Sequence, residues 1–451
     1  MRIIRTGDSR FEEVFRQIAG RGRVFDEDLW NTTFRIVRDV ADRGDEALFA
    51  YTKQFDGCLL SYGAVEASSA EIETALSAVS RQEWEILRLS AGRIERYHRR
   101  QVLPDWRIDD EEGVLLEQRV LPLDRVGIYA PGGLAAYPST VLMAAIPARI
   151  AGVKEILLAS PVRDGRLHPL IAAAAKLCGV TRILKIGGAQ AIAALAHGTA
   201  SVPRVDKIVG PGNAYVAAAK RIVFGEVSID MIAGPSEVLI VADGSAPAAF
   251  AAADLIAQAE HDESASAVLV TPDSEYASRV SAEVDRLVSG LSRREILTRS
   301  LDRYGAIFLV KDLEQAADVA NRFAPEHLEL MVENPRSILS GFRHAGSIFL
   351  GAHAPEAIGD YLAGPNHILP TGGTARFSSP LGVYDFLKRT SIIQFSPEAY
   401  GRYGASVAAF AAMEGLTGHG LAASVRMDGT SSGDPGSRQS ALEEDTTGKN
   451  P

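Results

Sequence analysis

Cysteine is almost missing from this chain of 451 residues: there are two, Cys58 and Cys178, far apart in sequence. A disulfide framework is therefore excluded, and without an export signal both are expected as free thiols. The first residues, Met-Arg-Ile-Ile-Arg-Thr, lack the apolar core of a secretory signal, and no apolar run reaches membrane-spanning length. The expectation is a cytoplasmic protein with no membrane contact. Positive charge is also short, with 47 Lys and Arg against 57 Asp and Glu and a net charge of −10. A nucleic-acid surface needs clustered Lys and Arg, and the basic run at 93–100 reads as one solvated helix face, so no nucleic-acid partner is expected. Gly-x-Gly-x-x-Gly is absent as well, so any nucleotide site must be argued from other turns.

What is present is enough apolar sequence, 46% of residues, for two or more sizeable cores. Apolar residues recur at helical spacing through the first hundred positions, predicting helices over 9–18, 26–55 and 69–101. They form a helical N-terminal region, 1–120, that turns to short strand-like runs near Asp105. Strands then alternate with alanine-rich helices, which predicts a parallel sheet covered by helices. The pattern occurs twice, over 121–235 and again over 236–380. The fold class is α/β, with two successive Rossmann-like parallel-sheet domains read as a duplication with a cleft between them. After Pro380 no further sheet is expected. A helical tail over 381–424 carries Tyr400, Tyr403 and Phe410, which need a partner surface, and 425–451 has almost nothing to bury and is expected to be disordered.

Polar corners gather in the second unit. Gln258 and His261 stand three apart at the end of an alanine-rich helix, where such residues share a face, and an imidazole with an amide oxygen is half of a divalent-metal site. Two donors alone equally describe a solvent-facing helix end. Glu326-His327 follows a proline at a helix-to-strand junction, and an adjacent carboxylate and imidazole suit acid-base work. Gly-Pro-Ser-Glu at 234–237, Gly-Asp-Tyr at 359–361 and Gly-Pro-Asn-His at 364–367 add to them. In the first unit, glycine-rich turns at 129–133, 187–190 and 210–213 follow strands, where parallel sheets place ligands. A nucleotide and simple tight-turn packing both account for those glycines.

Several of these strings occur together and in order: Gly-Pro-Gly-Asn-Ala-Tyr-Val, Ala-Gly-Pro-Ser-Glu, Gln-Ala-Glu-His-Asp, Ala-Pro-Glu-His-Leu-Glu, Gly-Pro-Asn-His-Ile-Leu-Pro-Thr-Gly-Gly and Glu-Gly-Leu-x-x-His. With them the chain, to about residue 424, resembles the histidinol dehydrogenases. The resemblance implies a zinc- and NAD-dependent, four-electron oxidation of L-histidinol to L-histidine, the last step of histidine biosynthesis, in a homodimer that shares its active sites. It implies one zinc per subunit on Gln258, His261, Asp360 and His419, with Ser236, His327 and Glu414 also touching substrate and His367 a further candidate. Tyr129, Gln190 and Asn213 match nucleotide-contacting turns. His327 is expected to take the alcohol proton and Glu326 to activate the water that hydrates the aldehyde. A cysteine thiohemiacetal is disfavoured, because Cys178 lies in an apolar helix and Cys58 near a loop. The competing readings are a zinc and NAD dehydrogenase for another small amino alcohol or diol, a zinc hydrolase built on Glu326, and a non-enzymatic binding protein.

Overall fold

The computed structural model describes residues 1–21, 26–110, 112–132, 136–162 and 165–430. Two compact units divide the chain: Met1–Val102 with Pro122–Leu387, and Leu103–Leu121 with the chain from Lys388 onward. The strands, in chain order, are β1 (Arg2–Arg5), β2 (Trp106–Asp109), β3 (Val114–Pro122), β4 (Arg125–Tyr129), β5 (Glu155–Ala159), β6 (Arg182–Leu184) and β7 (Lys207–Val209). They continue with β8 (Ser228–Ile229), β9 (Glu237–Ala242), β10 (Ser266–Thr271), β11 (Gly305–Leu309), β12 (His327–Met331), β13 (Ser347–Leu350) and β14 (Leu387–Phe395).

The larger unit contains two parallel sheets. Strand order is β6-β5-β4-β7-β8 in the first and β1-β11-β10-β9-β12-β13 in the second. With β1 set aside at the edge of the second sheet, and numbering from β4 and from β9, both sheets wind 3-2-1-4-5, so the duplication expected from sequence is visible as the same topology twice. The central strands read as unbroken apolar runs because both faces are covered. Glu-Val-Leu-Ile-Val-Ala of β9 and Ser-Ala-Val-Leu-Val-Thr of β10 are buried at every position. Alanine-rich helices such as Gly188–His197 and Ala248–Ala259 pack closely on them through small side chains.

The N-terminal region is not a free-standing helical lead-in. β1 pairs in parallel with β11, from Arg2 opposite Ala306 to Arg5 opposite Leu309. The following helix, Phe11–Ala19, buries Phe11 and Phe15 against Phe308 of β11, their ring centroids 5.1 and 6.2 Å from it. Each such burial contributes roughly 1.5–3 kcal/mol. Four residues with one buried position are too short for a period-2 signal, and the backbone of an edge partner decides the outcome instead. The helix expected over 26–55 is two helices, Glu27–Arg43 and Asp45–Asp56, interrupted at Gly44 with φ +57°. That over 69–101 breaks likewise before Ser80, whose hydroxyl and Glu83 form a capping box.

The smaller unit corrects the C-terminal expectation. β14 joins β3 and β2 in a three-stranded sheet, β14-β3-β2, although no sheet was expected after Pro380. Most of β14 is exposed, so it carries no alternation of buried and open positions for a sequence pattern to reveal. The helix Pro397–Met413 follows, as expected, and then a second helix, Thr417–Thr430. That helix runs six residues into the segment expected to be disordered, and 431–451 lie outside the described residues. Among the described residues no helix is long and apolar enough to cross a membrane.

Candidate active site

β9 and β12 are neighbours at the centre of the second sheet, with His327 opposite Val238. The residues singled out there lie at the amino ends of these strands, whereas the glycine turns of the first sheet lie at carboxyl ends. The chain reaches His327 through Ala324, which closes the helix Leu313–Phe323 at φ +52° and is the one non-glycine residue with positive φ among those described. Pro325 follows at once, so the junction is stiff on both sides. Gly346 lies against it, where a Cβ would come within 2.6 Å of the Glu326 carbonyl oxygen.

His327 is buried. Its Nδ1 faces the carbonyl of Glu237 at 3.3 Å, and its Nε2, 3.9 Å from Asp360 Oδ1, has no hydrogen-bond partner. An atom facing a carbonyl must carry the proton, which leaves Nε2 with the lone pair. Burial pushes the imidazolium down to about 4, against the attraction of Asp360, so the ring is neutral. Glu326 is buried too and accepts the Glu237 N–H on Oε2 at 3.0 Å. Burial first, and then the Glu237 charge, hold its carboxyl well above the ordinary range.

Asp360 sits on a single π-helical turn, Gly359–Ala363, directly after the short helix Glu356–Ile358. Such turns are uncommon and recur at functional sites. The helix Arg81–His98 holds this one from outside: Ser90 donates to the Tyr361 carbonyl at 2.6 Å and Arg93 to that of Leu362. His367 Nδ1 lies 3.7 Å from Asp360 Oδ1, and its Nε2 is buried without a partner. Burial alone would raise the Asp360 carboxyl; the nearness of His367 and then of the His327 and His261 imidazoles outweighs it and holds the group low. Asn366 fixes the loop beside His367 by donating to the Met143 carbonyl at 2.7 Å.

Gln258 and His261 do not share a helix face, as spacing suggested. The helix ends at Ala259, with Glu260 as its cap; Gln258 is fully buried and His261 is exposed just beyond it. His261, not Gln258, is the one of the pair that a distance ties to other metal-capable groups. Donor atoms of His261, Glu356 and Asp360 lie within 4.8 Å of one another, and both amide atoms of Gln258 are buried with no partner. A buried amide left unsatisfied on both atoms is costly, and a cation on its oxygen would remove part of that cost. The N and O donor set thus fits a borderline divalent ion.

Glu356 was not found from sequence, although it stands four residues before Asp360 on the same turn of chain. Its N–H donates to Glu329 Oε1 at 2.7 Å, and burial first, then the charge of Asp254, one helical turn before Gln258, hold the Glu329 carboxyl well above the ordinary range. Ser236 precedes β9, half-buried. Glu414 caps the helix Pro397–Met413 and His419 lies on the helix after it, both in the smaller unit.

In the first sheet the turns occupy the expected carboxyl ends, with Gly210 so close to Tyr129 that a Cβ would sit 2.1 Å from its carbonyl oxygen. Tyr129 and Gln190 are buried. The Tyr129 hydroxyl accepts the Gly188 N–H at 3.1 Å, and Gln190 donates to Asp56 while its Oε1 lacks a partner. Asn213 is exposed and caps the helix Ala214–Val223 through the Val216 N–H. Both cysteines are free and buried, and burial pushes Cys178 up to about 12 and raises Cys58.

A family model described as histidinol dehydrogenase matches residues 20–427. The chain is 53% identical to the histidinol dehydrogenase of Syntrophotalea carbinolica over 427 residues, covering 95% of this chain and 99% of that one. It is 50% identical to that of Geobacter sulfurreducens over 428 residues, covering 95% and 100%. The crystal structure of histidinol dehydrogenase from Elizabethkingia anophelis superposes with a TM-score of 0.89 at 36% identity, covering 96% of this chain and 99% of that one.

Proposed function

The chain belongs to the histidinol dehydrogenase family, and from that premise we propose that it oxidises L-histidinol to L-histidine through L-histidinal. The observation that carries this for the present residues is the neutral, buried His327 with a free Nε2, set beside Glu326 and the group of His261, Glu356 and Asp360.

Gln258, His261 and Asp360, with Glu356 adjacent and His419 of the partner subunit, would hold a zinc ion, which when bound supplies a fixed positive charge that orients the substrate's amine and imidazole. NAD would take up one hydride in each of the two oxidations. The first sheet's turns support its site at the carboxyl ends of β4, β6 and β7, where Asn213 is exposed and the Tyr129 hydroxyl holds the Gly188 N–H.

In the first step His327 Nε2 accepts the proton of the substrate hydroxyl as the carbinol carbon loses hydride. In the second, Glu326 removes a proton from water as its oxygen bonds to the aldehyde carbon and His327 returns its proton to the aldehyde oxygen, giving a gem-diol; that diol becomes the acid as hydride leaves and His327 takes a hydroxyl proton. A carboxyl held high by burial is a stronger base when ionised, which suits this task. Ser236, Glu414 and His367 would contact the substrate's polar groups. The raised thiols argue for water over a cysteine adduct.

The functional form would be a homodimer in which Glu414 and His419 complete the partner's site. Phe410 and Met413, 62% and 82% exposed on the helix Pro397–Met413, support it, since such a face is unfavourable in water. The test of the activity is NADH absorbance on mixing zinc-loaded protein, NAD and histidinol. No absorbance with histidinol, alongside turnover of another amino alcohol, would reassign the substrate.

A further inference from the structure

Glu326 and His327 are held by Glu237 and, behind it, by Arg21. Arg21, just after the helix Phe11–Ala19, is buried with every guanidinium hydrogen directed at an acceptor. Nε donates to the Ser264 carbonyl at 2.9 Å; Nη1 meets the Ile18 carbonyl at 3.0 Å and Glu237 Oε2 at 2.9 Å. Nη2 takes the carbonyls of Ser236 at 2.9 Å and Pro235 at 3.4 Å. Five donors meet five acceptors, so its position is fully determined.

Glu237 then passes that position on. Its Oε1 accepts N–H bonds from Glu326 at 3.3 Å and Gly372 at 3.0 Å. Its own N–H donates to Glu326 Oε2 at 3.0 Å, and its carbonyl faces His327 Nδ1 at 3.3 Å. One residue therefore sets the Glu326 carboxylate orientation and the His327 tautomer together. The Arg21 and Glu237 side chains are 2% and 1% exposed, too deep to touch a substrate.

We propose that Arg21 and Glu237 are positioning residues for the aldehyde-hydrating half of the reaction: Arg21 compensates the Glu237 charge, and Glu237 aims the Glu326 carboxylate at the water. A buried Glu237 without its counter-charge would be driven to protonate or turn, and either change breaks the mutual hydrogen bonds with Glu326. Misplacing a catalytic group by about 1 Å can cost about a hundredfold in rate. The inference rests on the assignment of Glu326 above.

The experiment uses the zinc-loaded full chain with histidinal and NAD, comparing Arg21→Met, Arg21→Lys, Glu237→Gln and the double variant Arg21→Met/Glu237→Gln, with Glu326→Gln as control. The expected result is a kcat for histidinal lowered by about ten- to a hundredfold, with KM within about twofold and Arg21→Lys recovering part of the loss. Should a single variant fail to fold, the double variant, which removes both charges together, carries the same expectation. Folded double variant turning over histidinal at the wild-type kcat, with Glu326→Gln impaired, would overturn this inference alone. Glu326→Gln at the wild-type kcat would overturn the Glu326 assignment and this inference with it.

Discussion

His327 Nε2 and His367 Nδ1 approach the same oxygen, Oδ1 of Asp360, at 3.9 and 3.7 Å. One carboxylate oxygen thus stands between the proposed proton acceptor and a second imidazole, on the residue also proposed to bind metal. Proton transfer and metal binding would meet at this turn of chain.

Removing metal should therefore remove turnover. Protein stripped by a chelator is expected to be inactive with histidinol and to recover with zinc. Gln258→Ala should bind zinc at least about tenfold more weakly in a competition titration, because its amide is buried with no protein partner. Wild-type zinc affinity in Gln258→Ala would remove this residue from the metal site.

Sharing of the active site between subunits is tested by mixing. His261→Ala and His419→Ala proteins, each inactive, are unfolded and refolded together. Random pairing puts one intact site in about half the dimers, so about a quarter of wild-type activity is expected. No recovery in a mixture shown to exchange subunits would place His419 in its own subunit's site.

Cys178 should be chemically silent. With its thiol pushed up to about 12 from 9.0, it stays protonated in the folded chain at pH 8, and a thiol reagent is expected to modify it only after denaturation. The sign of the linkage follows: the fold is unaffected below about pH 9, where the unfolded thiol is also protonated, and loses stability as pH rises from there toward 12. Cys178→Ala should keep wild-type kcat; loss of the second oxidation alone would restore the cysteine route.

Ala324 holds a left-handed conformation at a cost of about 1–2 kcal/mol in an L-residue. Ala324→Gly gives up part of that gain to the greater freedom of the unfolded chain. It is expected to stabilise the protein by up to about 1 kcal/mol in urea denaturation. A clear destabilisation would mean that the Ala324 methyl, fully buried, contributes more in packing than the strain costs.

Much of this architecture is legible in the sequence. The twofold alternation of apolar strands with alanine-rich helices announces both parallel sheets, because strands buried on both faces leave an unbroken apolar run. β1 and β14 escape: one has four residues and a single buried position, the other is mostly exposed, and each is decided by a partner strand far away in sequence. For the site, motif strings brought out Gln258, His261, Glu326, His327, Asp360 and His367. Glu356 and Arg21 were passed over, and Glu237, though inside the Gly-Pro-Ser-Glu string, was given no role, because what these residues do arises from contacts made across the fold. Arg21 is more than two hundred positions from its partner Glu237. The faces of Gln258 and His261 were misjudged because a helix end two residues earlier undoes the three-residue spacing rule.

A four-electron oxidation carried out on one substrate by this chain's own site is read out by its stoichiometry. A limiting amount of L-histidinol is exhausted by zinc-loaded protein in excess NAD, and NADH and L-histidine are both counted. Two NADH and one L-histidine per histidinol are expected. One NADH per histidinol with L-histidinal accumulating, or histidinol consumed with no NADH, would mean that this site does not carry out both oxidations.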